Sequence, residues 1–182
     1  MKNNLVNKQH IGILIALFTF ISLDGMTQNQ QTSFSRDTLI KAALDIIEST
    51  HYCALATVDS TGQPQVRTMN PFPLKDDMVI WFATSRKSRK VKELRNNPKV
   101  CVYYADHKNA GGYVSIDGTA EVIDDKELLI NMKRDYWQSI PNWQDIFVLI
   151  KITPVTMDVT NFAHGVAGDP ETSRAPSITF NN

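Results

Sequence analysis

The chain has 182 residues, with 19 Lys and Arg against 19 Asp and Glu, so its formal net charge is zero. That balance argues against a nucleic-acid binder, which is usually basic. The length predicts one domain with a real core, and two cysteines, Cys53 and Cys101, do not make a disulfide framework.

Residues 1–27 read as a secretory signal peptide. Lys2, Lys8 and His10 precede the apolar run Ile11 to Leu23, which Gly12, Thr19 and Ser22 interrupt. Asp24-Gly25 ends the run, and a Gln/Asn-rich stretch follows. The run is short for a membrane span, and small Gly25 and Thr27 permit cleavage before Gln28. A periplasmic or secreted protein is expected, with no stable membrane association after cleavage. A retained single N-terminal anchor is the alternative. Residues 28–34 read as a linker, 35–160 as the folded domain and 161–182 as a polar C-terminal arm or disordered end.

Within the domain, Ser35 caps a helix running to about Ser49, with Leu39, Ala43, Ile46 and Ile47 on its apolar face. Tyr52 to Val58 is a strand, Asp59-Ser60-Thr61-Gly62 a hairpin turn and Gln65 to Met69 the returning strand. Pro71 and Pro73 bar further ladder bonding, and Lys75-Asp76-Asp77 makes a polar turn. Met78 to Ala83 is the third strand and Lys99 to Tyr104 the fourth. Tyr113 to Val122 is the fifth, with Gly118 marking a bulge or a close approach. The loop Asp106 to Gly112 before it serves a cofactor edge, a dimer partner or only solvent. Asp124 caps a further helix with Glu127 in a capping box, and that helix reaches about Trp137. Phe147 to Thr153 is the sixth strand, continued past Pro154 by Val155 to Val159. Six short, mostly antiparallel strands with brief turns predict a mainly β fold with short helices, a closed or half-closed barrel.

Between the third and fourth strands lies SRKSRKVKELRNNP. Val91 and Leu94 mark a short helix there, which Asn96-Asn97-Pro98 stops. Thr84, Ser85, Ser88, Arg89 and Lys90 therefore sit at a strand-to-helix corner. Hydroxyls, helix-start amides and cations converge on it, which is the chemistry that binds a phosphate. Arg67 ends another strand, and antiparallel pairing would bring it beside the corner. An Arg/Lys-rich helix start is ordinarily a solvated turn, and Ser85 to Lys90 contains no Gly, so this is not a glycine-rich nucleotide loop. The histidines show no metal-ligand spacing and no nucleophilic triad is recognisable. Trp81, Trp137 and Trp143 are possible stacking groups, although a Trp is more often partial core.

The ALATVDSTGQPQVRTM opening, the VIWFATSRKSRKVKELRNNPKVCVYY segment and the YVSIDGTAEV strand occur in this order with a helix after them. Together they resemble the FMN-binding split-barrel superfamily typified by pyridoxamine 5'-phosphate oxidase, and its general-stress-protein branch most. The similarity spans roughly Ser35 to Val159. It implies a six-stranded antiparallel split β-barrel, a homodimer with two interfacial flavin sites, and FMN as cofactor. It assigns the phosphate to Arg67, Ser88, Arg89 and Lys90, and backbone beside the isoalloxazine ring to Met69, Asn70, Phe82 and Thr84. An aromatic near Trp137 borders the partner's site in relatives. The C-terminal Arg-x-His segment of true pyridoxamine phosphate oxidases is missing from MDVTNFAHGVAGDPETSRAP. A flavin-contacting glutamine is replaced near Tyr113, and Val159 stands where relatives commonly have an aromatic. The implied function is an FMN-dependent oxidoreductase acting on an unidentified small substrate, without a nominated catalytic acid or base. The alternative is a non-catalytic flavin-binding or haem-binding split barrel.

Overall fold

The computed structural model describes residues 34–74 and 78–181. The predicted signal peptide, nearly all of the linker 28–34 and the predicted turn Lys75-Asp76-Asp77 lie outside the described residues. Helix α1 (Arg36–Thr50) starts where Ser35 accepts from the Thr38 amide, and it buries Leu39, Ala42, Ala43, Ile46 and Ile47. Strands β1 (Cys53–Val58) and β2 (Pro64–Met69) form the predicted hairpin. Its turn uses Gly62 at φ 87°, a left-handed conformation that glycine adopts without strain. Asp59 fastens the turn by accepting from the Thr61 and Gln63 amides.

After β3 (Ile80–Ser85) come helix α2 (Arg89–Asn96), β4 (Lys99–Ala105), β5 (Gly112–Ile123), α3 (Lys126–Asn131), a 3-10 turn (Asp135–Ser139), α4 (Trp143–Ile146) and β6 (Phe147–Asn161). The six strands form one antiparallel curled sheet in the order β2-β1-β4-β5-β6-β3, the split-barrel arrangement. Where β2 and β3 end the path, the Phe72 amide donates to Trp81 O at 2.8 Å and ties the two edges together. The register of β5 on β6 slips after Asp117, because Gly118 faces Pro154 and Val155 bulges out. A Cβ on Gly118 would meet Ile152 Cγ2 and Thr153 O, both at 2.7 Å. Gly118 thus marks both a bulge and a close approach.

Strand alternation sends Leu55, Phe82, Val102, Val114, Ile116, Ile150, Ile152 and Met157 into the barrel interior, where all are fully buried. Each such side chain contributes about 1.5–3 kcal/mol by leaving water. Helix α1 packs over β4, β5 and β6 and covers that interior. A second cluster gathers Leu129, Trp137, Trp143 and Leu149 with Phe72, Trp81 and Phe147 against them.

Two predicted features differ. The cap of α3 is Asp125, whose carboxylate accepts from the Leu128 amide, while Asp124 pairs with Arg86 instead. The helix also stops at Asn131 rather than near Trp137. The chain turns there so that Arg134 reaches the carbonyls of Asn70 and Pro71 and Trp137 enters the second cluster. Beyond Asn161 the chain makes a 3-10 turn (Phe162–His164) and an isolated bridge from Asn161 to Val166 before it continues as the C-terminal arm. Val166, Ala175 and Ile178 are buried, and a short β7 (Ser177–Thr179) adds to the far half of β6. His164 pairs with Asp45 of α1.

Candidate cofactor site

The corner forms where β3 runs out of sheet. Thr84 still pairs with Val148 and Ser85 with Phe147. The Ser88 amide then donates back to Ser85 O at 2.9 Å, closing the turn that launches α2. Ser88 is the N-cap residue, but its hydroxyl makes no cap hydrogen bond and lies 3.5 Å from the Thr84 hydroxyl. Lys90 folds back over the turn, its Nζ donating to Thr84 Oγ1 at 2.9 Å. The positive end of α2 faces the same place.

Arg67 reaches this corner through antiparallel pairing, as expected. β2 pairs with β1, so Arg67 stands opposite Leu55 and beside Thr57. From there its guanidinium donates to the Thr57 hydroxyl through Nη1 and to Glu93 Oε2 through Nη2 at 2.7 Å. Arg89 pairs through Nε with Glu93 Oε1 at 3.0 Å, and its Nη2 donates to Gln65 Oε1 at 3.0 Å. Thr57 also donates its own hydroxyl to Glu93 Oε2. Glu93 is therefore the hub of the cluster, with a side chain only 4% exposed. Sequence reasoning missed it. The available signal was its i,i+4 spacing from Arg89, which by itself reads as a surface pair.

Burial by itself would raise the Glu93 pKa, but the Thr57 hydroxyl and the Arg67 and Arg89 charges outweigh it and hold the carboxyl below its ordinary value. It is thus a carboxylate at neutral pH. The Lys90 ammonium shifts down from its ordinary value, first through burial and then through the charge of Arg67, against a partial offset from Glu93. Three cations thus surround one carboxylate, an excess of two positive charges beside two hydroxyls. An anion placed here would relieve that excess.

Of the remaining predicted residues, Thr84 stands at the corner itself, where Lys90 donates to it. Met69 is buried opposite Cys53, and Phe82 is buried in the barrel interior. Thr84 is also buried. Asn70 is half-buried, and its Oδ1 is buried without a hydrogen-bond partner among the described residues. The backbone around it is clamped by Arg134, which donates to Asn70 O at 3.1 Å and to Pro71 O at 2.6 Å and stacks 4.3 Å from the Phe72 ring. Arg134 carried no sequence signal, because its partners lie more than sixty residues earlier. Trp137 is buried against Trp143 and Phe147, so its ring does not present a face at the surface. Trp143 is buried too, and half-buried Trp81 packs against the same cluster.

Residues 39–161 match the sequence profile of the family described as "Pyridoxamine 5'-phosphate oxidase". The chain belongs to that family. Within the pyridoxamine 5'-phosphate oxidase-like family it is 30% identical over 126 residues to general stress protein 26 of Bacillus subtilis (strain 168), covering 65% of this chain and 85% of that protein. It is also similar to the crystal structure of general stress protein 26 from Bacillus anthracis str. Sterne. The TM-score is 0.53 at 28% identity, over 65% of this chain and 91% of the other. A pyridoxamine 5'-phosphate oxidase-related, FMN binding protein from Nostoc punctiforme PCC 73102 shares the fold. Its TM-score is 0.55 at 19% identity, over 82% of this chain and 100% of that one. The family and the FMN-binding split-barrel superfamily expected from the sequence are therefore established, and the Nostoc protein that shares the fold is an FMN binding protein.

Proposed function

We propose that this member of the family binds FMN and serves as an FMN-dependent oxidoreductase for a small substrate. The observation that carries the reading is the uncompensated charge at the corner, where Arg67 and Arg89 pair with Glu93 and Lys90 reaches Thr84. A phosphate monoester carries about −1.5 to −2 charges at neutral pH, which matches the excess. Arg67 and Arg89 would grip it through charge-assisted hydrogen bonds, and Lys90 would act as a mobile point charge. The Thr84 and Ser88 hydroxyls stand at hand as additional donors. The Asn70 Oδ1 is a buried acceptor without a protein donor among the described residues. The backbone at Met69, Asn70, Phe82 and Thr84 would border the ring. The residues present therefore fit the group.

When bound, the flavin supplies the redox chemistry, and the protein positions its ring and the substrate. Arg134 holds the Asn70-Pro71 backbone rigid by two carbonyl contacts, so a ring seated there would meet a fixed edge. Homodimerisation and export belong to the same reading. The first rests on the family, the second on the basic-apolar-polar order of residues 1–30. The deciding experiment is fluorescence titration of the apoprotein with FMN and with riboflavin. FMN is expected to bind at least tenfold more tightly, since riboflavin offers no phosphate to the cations. Equal affinities would remove the phosphate site. Turnover of a nicotinamide or other small reductant by the yellow protein would then separate an oxidoreductase from a flavin-binding module.

A further inference from the structure

Glu93 is an expensive residue for its position. Helix α2 turns Val91, Glu93 and Leu94 inward, and the two neighbours are apolar. Taking a carboxylate out of water costs several kcal/mol, and an apolar side chain of similar size commonly gives equal or greater stability at such a site. Packing alone therefore does not account for a carboxylate here. Its contacts do. One oxygen accepts from Arg67 of β2 and from Thr57 of β1, while the other, buried and without a hydrogen bond among the described residues, lies 3.0 Å from Arg89 Nε as an ion pair from the start of its own helix. Each guanidinium has a second inner anchor, Thr57 for Arg67 and Gln65 for Arg89. A guanidinium carries five N–H donors in a rigid fork, and these contacts use only part of each fork.

We infer that Glu93 is a positioning residue of the anion site, holding two arginines from different elements in a single geometry so that their remaining donors converge on a terminal phosphate. The inference rests on the FMN reading above and adds to it a residue that touches no ligand itself. Pre-organisation of this kind raises affinity by removing the ordering cost of two long side chains at the moment of binding. The opposing effect is direct repulsion between Glu93 and the phosphate, and the two effects predict opposite signs for its removal.

The test uses the full-length protein and Glu93→Gln, which keeps the shape and removes the charge. FMN and riboflavin are titrated into each, with the thermal midpoint measured alongside. The expected result is FMN binding weakened by about tenfold or more with riboflavin binding unchanged, so that the preference for FMN collapses. A purely structural role would weaken both ligands together and would overturn the inference. FMN binding unchanged or tightened would overturn it as well, leaving Glu93 as a neutralising group. Should Glu93→Gln fail to fold, Thr57→Val removes the hydroxyl shared by Arg67 and Glu93 with every charge intact. It is expected to weaken FMN severalfold and spare riboflavin, and an unchanged FMN affinity there counts against the inference. Failure of the FMN reading itself is visible separately, as a natural protein that does not prefer FMN over riboflavin.

Discussion

Arg67 and Arg89 meet the same carboxylate but differ in what each supports. The Arg67 side chain is 19% exposed and that of Arg89 is 72% exposed. Removing Arg67 takes from a buried carboxylate its better-sheltered partner. Arg67→Ala is therefore expected to cost roughly 3 kcal/mol of stability as well as FMN affinity. Arg89→Ala removes an exposed cation, so stability should change by less than about 1 kcal/mol while FMN binding falls about tenfold or more. Urea unfolding beside FMN titration of both variants checks the contrast, and equal stability losses would contradict it. The Glu93 carboxyl also makes a pH prediction. Its folded-state pKa lies below the ordinary 4.5, because the Thr57 hydroxyl and the Arg67 charge outweigh the upward pull of burial. The unfolded chain consequently takes up the proton first as pH falls. The stabilisation is complete above about pH 4.5 and is lost as pH drops through the lower, folded value. Urea midpoints of the natural protein and Glu93→Gln should converge below pH 4.5 and separate above it, in favour of the natural protein. A gap independent of pH would show that the carboxylate does not titrate as described.

At the scale of elements, β5 and β6 are the longest paired strands, and both α1 and β7 lean on β6. Their pairing survives the irregular step at Pro154, which has no amide to donate, because Gly118 opposite leaves room for the bulge. Gly118→Ala would place a methyl group 2.7 Å from the Thr153 carbonyl, a backbone atom held by the ladder. The expected cost is about 1–3 kcal/mol, with the FMN:riboflavin preference retained, because the bulge lies on strands that contribute no cation to the corner. Thermal unfolding with the same titration reads both. A loss of preference at full stability would mean that the bulge, rather than the corner, governs the anion. The C-terminal arm is an element in its own right. Asn161 Nδ2 donates to Ala42 O at 2.9 Å, and Ile178 is buried through pairing beside Met157, so the arm completes the cover over the barrel that α1 begins.

At the scale of the whole molecule, one outer sheet face carries exposed apolar groups. Val66 is 67% exposed and Val155 44%. An apolar groove of about 440 Å³ is lined by Val155 with Ala56, Val58, Val100 and Cys101 among others, and Val66 stands opposite Ala56 on the neighbouring strand. Exposed apolar surface of this kind marks interaction sites, and the family reading supplies a second copy as the occupant. Sedimentation at micromolar concentration is expected to show twice the protomer mass, and Val66→Glu on this face should shift it toward the monomer. A monomer in the natural protein would rule out an interfacial flavin site.

Local interactions determined what the sequence alone specified. Ser35 caps α1, Gly62 turns the first hairpin, Val91 and Leu94 orient α2, and alternation marks the strands, each through residues within a few positions of one another. The corner at Thr84 to Lys90 was legible for the same reason, since a hydroxyl-rich turn feeding a basic helix start is a contiguous pattern. The tertiary structure decided what gathers around it. Thr57 and Glu93 lie 36 residues apart, Arg67 and Glu93 26, and Arg134 reaches back 64 residues to Asn70. In the sequence, Glu93 is one more charge in a charged helix, and Asp124 is as good a cap as Asp125. Arg86 takes Asp124 away from the helix, and the pairing of β2 with β1 sets Arg67 beside Thr57. Periodicity specifies which face of an element is apolar. Only the pairing of distant strands specifies which charges that face brings together, and a carboxylate becomes a hub only when burial strips its water and leaves the arginines as its partners.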